Sequence, residues 1–204
     1  MRLYDVANVD RRLIGAVLAD QAAHIGASPW LRSGDRVVTF AEANTLVNRI
    51  ANGLAARGFG RGDILAMVMK PSIEVVLLAL ATARLGGIFQ TISTDYHGAF
   101  LDEAILASQA KVLIIDHDLA SRFSGDAWSV PLGSVFLNGA TGEDALTRLQ
   151  STDDNPPRVE VSPFDPAQVW WSSGTTGKPK GIMHSHSSIL FANQRSAQHL
   201  RPGD

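Results

Sequence analysis

Val112-Leu113-Ile114-Ile115 sets four apolar residues in succession between Lys111 and Asp116. Side chains on a strand alternate between its two faces, so such a run is typical of a strand buried on both. Both faces then need helices. The flanking sequence supplies them in alternation with further short strands. Residues 11–23 carry Leu13, Ile14, Val17 and Leu18 on a helical stripe. Residues 30–40 read as a hairpin turning at Ser33-Gly34-Asp35. Thr39 stands three residues before Glu42, the spacing of a capping box, and the helix that follows aligns Leu46, Val47, Ile50, Ala51 and Leu54 up to a stop at Gly58. A turn over 60–63 leads to an apolar strand over 64–69. Ser72 caps a helix running to Gly86-Gly87, and a strand follows over 88–92. A helix over 101–110 precedes the apolar run of 112–115. The fold class is therefore α/β, with layers of helix around a largely parallel sheet.

The texture changes after Gly139. Ser151-Thr152-Asp153-Asp154-Asn155-Pro156-Pro157 is polar and turn-rich, a connector with one short helix near residues 143–149. A strand at Val169-Trp170-Trp171, a polar loop over 172–181, a strand over 182–186 and a helix over 187–200 complete the pattern. The expected organisation is a first α/β subdomain over 1–138, a connector over 139–163 and the start of a second subdomain over 164–204.

Several function classes lose support from composition. A formal net charge of −2 gives no basic footprint for nucleic acid. The longest uncharged apolar run in a helical pattern, 75–83, falls far short of the roughly 20 residues of a membrane span. No signal-peptide core is visible, so a cytoplasmic location is the default. There is no cysteine, so a thiol in any thioester chemistry must come from outside the chain.

The loop is the most chemical part of the sequence. Ser172-Ser173-Gly174-Thr175-Thr176-Gly177-Lys178-Pro179-Lys180-Gly181 combines glycines, hydroxyls and two lysines. Glycine lets backbone N–H groups approach phosphate oxygens, hydroxyls add donors that rotate to suit, and ammonium groups offset the charge. It is not a Walker A loop, because Pro179 follows Gly177-Lys178 where Ser or Thr is required, and the Rossmann glycine spacing is missing as well.

Asp165-Pro166-Ala167, the aromatic Trp171, the loop 172–181 and His186 together resemble the phosphate-loop signature of the adenylate-forming superfamily, which includes acyl- and aryl-CoA synthetases. A second stretch agrees: Thr39-Phe40-Ala41-Glu42 through Asn48, Ala51, Leu54 and Gly58 to Gly62-Asp63, then 83–92 with Gly86-Gly87. The resemblance runs from about Val38 to the end, loosely over 117–160.

The resemblance implies the N-terminal, incomplete part of the large domain of such an enzyme, with ATP, Mg2+ and coenzyme A as cofactors and a small-molecule carboxylic acid as substrate. It implies that Ser173, Gly174, Thr175, Thr176 and Gly177 wrap the β- and γ-phosphates, with Ser172, Lys178 and Gly181 completing the nucleotide contacts. Lys180 is the expected catalytic residue, neutralising the leaving pyrophosphate. Lys178 falls where the family varies, and Ser172 is the candidate Mg2+ contact. Trp171 is expected to pack the strand. His186 is either a site residue or the cap of the following helix. The family's enzymes are much longer, so the adenine grip and a mobile C-terminal domain are expected to be missing, and the chain to be inactive alone. A carrier-protein-linked adenylation domain and an inactive remnant are the alternatives.

Overall fold

A computed structural model describes residues 4–123, 135–139, 145–172 and 180–199. The element that organises one side of it is α2 (Phe40–Ala56), which begins at the expected capping box. The Thr39 hydroxyl accepts from the Glu42 N–H at 3.3 Å, and the Glu42 carboxylate accepts from the Thr39 N–H at 2.8 Å. These bonds hold the Glu42 carboxyl below its ordinary value, with the Thr39 backbone contributing most. Thr39→Ala is expected to cost about 1 kcal/mol and to lower Tm by about 2–4 °C in a thermal melt; an unchanged Tm would show the cap to be idle.

From this start, Ala43, Val47, Ile50, Ala51 and Leu54 form a fully buried stripe. They pack with α1 (Ile14–Ile25) and α3 (Ile73–Arg84) on one face of the main sheet. Ser72 caps α3 as its position suggests, accepting from Val75 N–H at 3.4 Å. The chain leaves α3 through Gly86, whose φ of +67° is left-handed and suits glycine.

The main sheet contains β3 (Ile64–Val68), β4 (Ile88–Thr91), β5 (Val112–Asp116), β6 (Val135–Asn138), β7 (Pro166–Ser172) and β8 (Lys180–Ser185), in the order β6-β5-β3-β4-β7-β8. All adjacent pairs are parallel except β7 with β8. A separate antiparallel hairpin, β1 (Pro29–Ser33) with β2 (Arg36–Thr39), packs nearby through Val38, Trp30 and Leu31. The double burial of β5 is realised. Leu65, Met67, Val112 and Ile114 join the core with α1, α2 and α3, while Ala66, Val68, Leu113 and Ile115 join the core of α4 (Gly98–Ser108) on the other face.

Several boundaries differ from the sequence reading. α1 starts at Ile14, because a short 3-10 turn, Val9–Arg11, occupies the preceding residues with Asn8 capping it. α4 starts at Gly98 and stops at Ser108, where Gln109 takes a left-handed φ of 51°. β6 has no counterpart in the sequence reading. It pairs Val135 to Asn138 with Leu113 to Asp116. The connector is tied down along α2. Asn48 donates to Asp154 O at 2.7 Å, and Asn52 donates to Asp153 O and Asn155 O, each at 2.9 Å. The short helix α5 (Ala145–Leu149) leads into this strap with Leu149 fully buried. Among the described residues, no helix is long and apolar enough to cross a membrane.

Candidate functional site

The loop proposed to hold phosphate is carried by a β-hairpin. β7 runs beside β4 in parallel, with Phe89 opposite Gln168 and Gln90 opposite Val169. β8 returns antiparallel, with Trp170 opposite Ile182, Trp171 opposite Gly181 and Ser172 opposite Lys180. Pro166 sits at the first position of β7, where a missing N–H is tolerated. Ser172 and Lys180 are thus paired strand residues at the mouth of the hairpin, and Gly181 also lies in β8, not in the loop as the sequence suggested. Ser173, Gly174, Thr175, Thr176, Gly177 and Lys178 lie outside the described residues.

Because β7 is parallel to β4, its end at Ser172 opens on the carboxyl edge of the parallel strands. Ligands of open α/β sheets bind at that edge. A cavity of about 380 Å3 lies there, lined by Thr91, Ser93, Tyr96, Trp170 and Trp171. The Trp171 indole N–H is buried and has no partner among the described residues. Trp171 is half-buried, and its ring lies 3.7 Å from where a Cβ on Gly181 would stand. Trp170 is 56% exposed and its ring meets that of His184 at 5.0 Å. Lys180 presents an exposed side chain at the start of β8.

The opposite end of the hairpin is clamped. Asp165 accepts from Arg61 at 2.6 Å and from Ser162 N–H at 2.9 Å. Burial works against its ionisation, but these two donors outweigh it and its carboxyl lies below the usual range. The Asp165 carbonyl accepts from His186 N–H at 3.3 Å, and Pro163 O accepts from Ser187 N–H at 2.8 Å. Arg12 donates to the Ser187 hydroxyl at 3.2 Å, joining α1's leading segment to the same knot.

His186 is the first residue of α6 (His186–His199), not the end of a strand. It is completely buried. Its Nδ1 accepts from Ile14 N–H at 3.3 Å. Leu13 holds the N-cap position of α1 and makes no side-chain cap, so this imidazole caps a helix 172 residues away along the chain. Burial pushes its pKa down to about 4, only partly offset by the charge of Asp165. The sequence reading allows His186 a site role or the cap of the helix that follows it; the helix that its side chain caps is α1.

Among the described residues, no cluster of three or more His, Asp or Glu side chains could hold a metal. A site of this kind fits Mg2+ only in the mode where phosphate oxygens and water supply most ligands and the protein adds one or two.

The model for AMP-binding enzymes matches residues 18–204. The chain belongs to the AMP-binding enzyme family. Two relatives in it are the 3-hydroxybenzoate–CoA ligase of Aromatoleum sp. (strain CIB), 31% identical over 92% of this chain and 36% of its own length, and a medium/long-chain-fatty-acid–CoA ligase of Mycobacterium tuberculosis, 36% identical over 88% of this chain and 30% of its own. The chain therefore spans about a third of these AMP-binding relatives. The inhibitor-bound N-terminal domain of FACL13 from Mycobacterium tuberculosis superposes with a TM-score of 0.79 at 29% identity, covering 93% of this chain and 48% of that domain. The α/β architecture expected from the sequence is thus that of the family's N-terminal domains.

Proposed function

We propose that this chain supplies the triphosphate grip of an ATP-dependent carboxylate–CoA ligase. One observation carries the reading most directly. The Gly-, Thr- and Lys-rich segment is spanned by a hairpin whose paired ends, Ser172 and Lys180, stand at the carboxyl edge of a parallel sheet beside a cavity. Strand pairing fixes the backbone of Ser172 and Lys180 at the hairpin mouth, and preorganised donors aimed at developing charge are the largest usual source of rate enhancement.

In the first half-reaction a carboxylate oxygen of the acid attacks the α-phosphorus of ATP. The bond from that phosphorus to the bridging oxygen breaks, and pyrophosphate leaves with the electron pair. Ser173 to Gly177 would wrap the β- and γ-phosphates, with Lys178 and Gly181 at the margins. The Lys180 ammonium would neutralise the leaving group. Ser172 would offer its hydroxyl to Mg2+, whose role is to stabilise charge on the phosphate oxygens. In the second half-reaction the thiol of coenzyme A attacks the acyl carbonyl and AMP departs. That sulfur must be external, since the chain has no cysteine. The two relatives act on aromatic and fatty acids respectively; the reading here extends to a carboxylic acid as a class.

Lys180→Ala and Thr176→Ala, each placed in a full-length protein carrying this segment, are expected to slow ATP–pyrophosphate exchange about tenfold or more, about 1.4 kcal/mol. Exchange at the wild-type rate in both variants would remove the assignment.

A further inference from the structure

A cation taken out of water needs an opposite charge or a full set of acceptors. Arg84, the last residue of α3, reaches under α1 and α2 and finds only neutral oxygens. It donates to Gly15 O at 2.8 Å, to Asn44 Oδ1 at 3.0 Å and to Asn48 Oδ1. Among the described residues it pairs with no carboxylate, whereas Arg11, Arg36, Arg49 and Arg61 each do. Burial alone lowers its pKa to about 10, with no neighbouring anion to oppose the shift. The guanidinium remains a cation there at neutral pH.

Beside it lies a cavity of about 270 Å3 between α1, α2 and the later part of the connector, from Pro156 to Val161. Ala16, Ala19, Pro157 and Val161 give it apolar walls, and Asn44 and Arg84 give it a polar end. The His186 ring closes one wall without charge, since its Nδ1 serves as an acceptor. The volume is just under the range of about 300–1,000 Å3 typical of drug-sized ligands. A single cation among apolar walls suits one carboxylate attached to a small hydrocarbon body. A phosphate would need more donors than this wall offers.

We propose that the cavity at Arg84 is a binding site for a small organic carboxylate, with its head on the guanidinium and its short apolar body against the Pro157 and Val161 wall. Apart from His186 at the base of the hairpin, the lining does not draw on β7, β8 or the loop between them. The inference is therefore independent of the phosphate-grip reading.

Titrating the 204-residue chain with benzoate, followed by backbone amide shifts, tests it. Saturable shifts are expected around residues 13–19, 44–48, 83–84 and 156–161 below about 10 mM, a working range for a Kd near 1 mM. Benzyl alcohol, which has the same ring and no charge, should bind about tenfold more weakly or worse. Arg84→Gln should weaken benzoate binding by a similar factor. Because Arg84→Gln also removes bonds to α1 and α2 and can compromise folding, Ala16→Leu provides a second variant. It fills the cavity from the α1 wall, keeps the guanidinium, and should also abolish the shifts. Excess inorganic pyrophosphate should leave the benzoate affinity unchanged. The proposal is overturned by absence of shifts at about 10 mM, by equal binding of the alcohol, by unchanged affinity in Ala16→Leu or in a folded Arg84→Gln, or by displacement with pyrophosphate, which would place the anion at the loop instead.

Discussion

Gly53→Ala is expected to destabilise the protein by about 3 kcal/mol, although alanine is the better helix former. Gly53 lies inside α2, where replacing glycine by alanine would ordinarily gain about 1 kcal/mol. Here a Cβ would stand 1.5 Å from Leu149 O, 2.7 Å from Leu149 C and 3.2 Å from Gln150 C. All three are backbone atoms, so no side-chain rotation relieves the overlap. The end of α5 and the strap after it would have to move off α2. That movement strains Leu149 and Leu146, which are buried in the core, and the contact from Ser151 N–H to Arg49 O at 2.9 Å. It also strains the Asn48 and Asn52 bonds to the strap. Overpacking costs about 1–3 kcal/mol, and each lost bond about 1 kcal/mol more, so the clash outweighs the gain in propensity. A thermal melt should show Tm lower by about 6–12 °C. A variant melting at or above the parent temperature would mean that α5 and the strap do not rest on Gly53.

The parts of this fold that were legible in the sequence are those whose causes are local. The Thr39–Glu42 box and the Ser72 cap involve atoms three residues apart, and both appear as read. The unbroken apolar run of β5 announced a strand with helices on both sides, and its residues divide between two cores. The parts that were not legible depend on partners far along the chain. Val135-Phe136-Leu137-Asn138 is a short apolar run that periodicity cannot assign, and only pairing with β5 makes it a strand. The polar stretch 151–155 reads as a linker until Asn48 and Asn52, a turn apart on α2, are seen to hold its carbonyls. Lys180 and Gly181 belong to a strand because Ser172 and Trp171 stand opposite them, although their composition is that of a loop. At the candidate site the residue types suggested phosphate chemistry, whereas the frame that carries them was not legible. Arg61, Asp165, Arg12 and Ile14 meet at the base of the hairpin from three separate stretches of sequence. Of these, Asp165 alone carried a signal, through the Asp-Pro-Ala motif.

Acidification from pH 7 to pH 5 is expected to remove about 2 kcal/mol of stability through His186 alone, approaching about 3 kcal/mol below pH 4. The folded-state pKa of about 4 lies below the ordinary 6.5, so between those values the unfolded chain binds a proton that the folded one refuses. Stability therefore falls as the pH drops through this window and is fully present above it. The geometry accounts for the refusal. Nδ1 accepts from Ile14 N–H, so the ring proton sits on Nε2, which is buried and has no partner among the described residues. Protonation would set a second N–H against that of Ile14, removing the cap of α1 while leaving a charge in a dry site. Carboxylates whose values are depressed, such as Asp165 and Glu74, lose their contribution only below the ordinary carboxylate range, so their effect enters at lower pH. Urea unfolding at pH 7.5 and pH 5 should separate the two. His186→Gln keeps an amide oxygen that can accept from Ile14 N–H but does not titrate. It should flatten the dependence between pH 5 and 7 while leaving the loss below pH 4 in place. A parent and variant with the same slope across that window would mean that His186 is not the group whose protonation loosens the base of the hairpin.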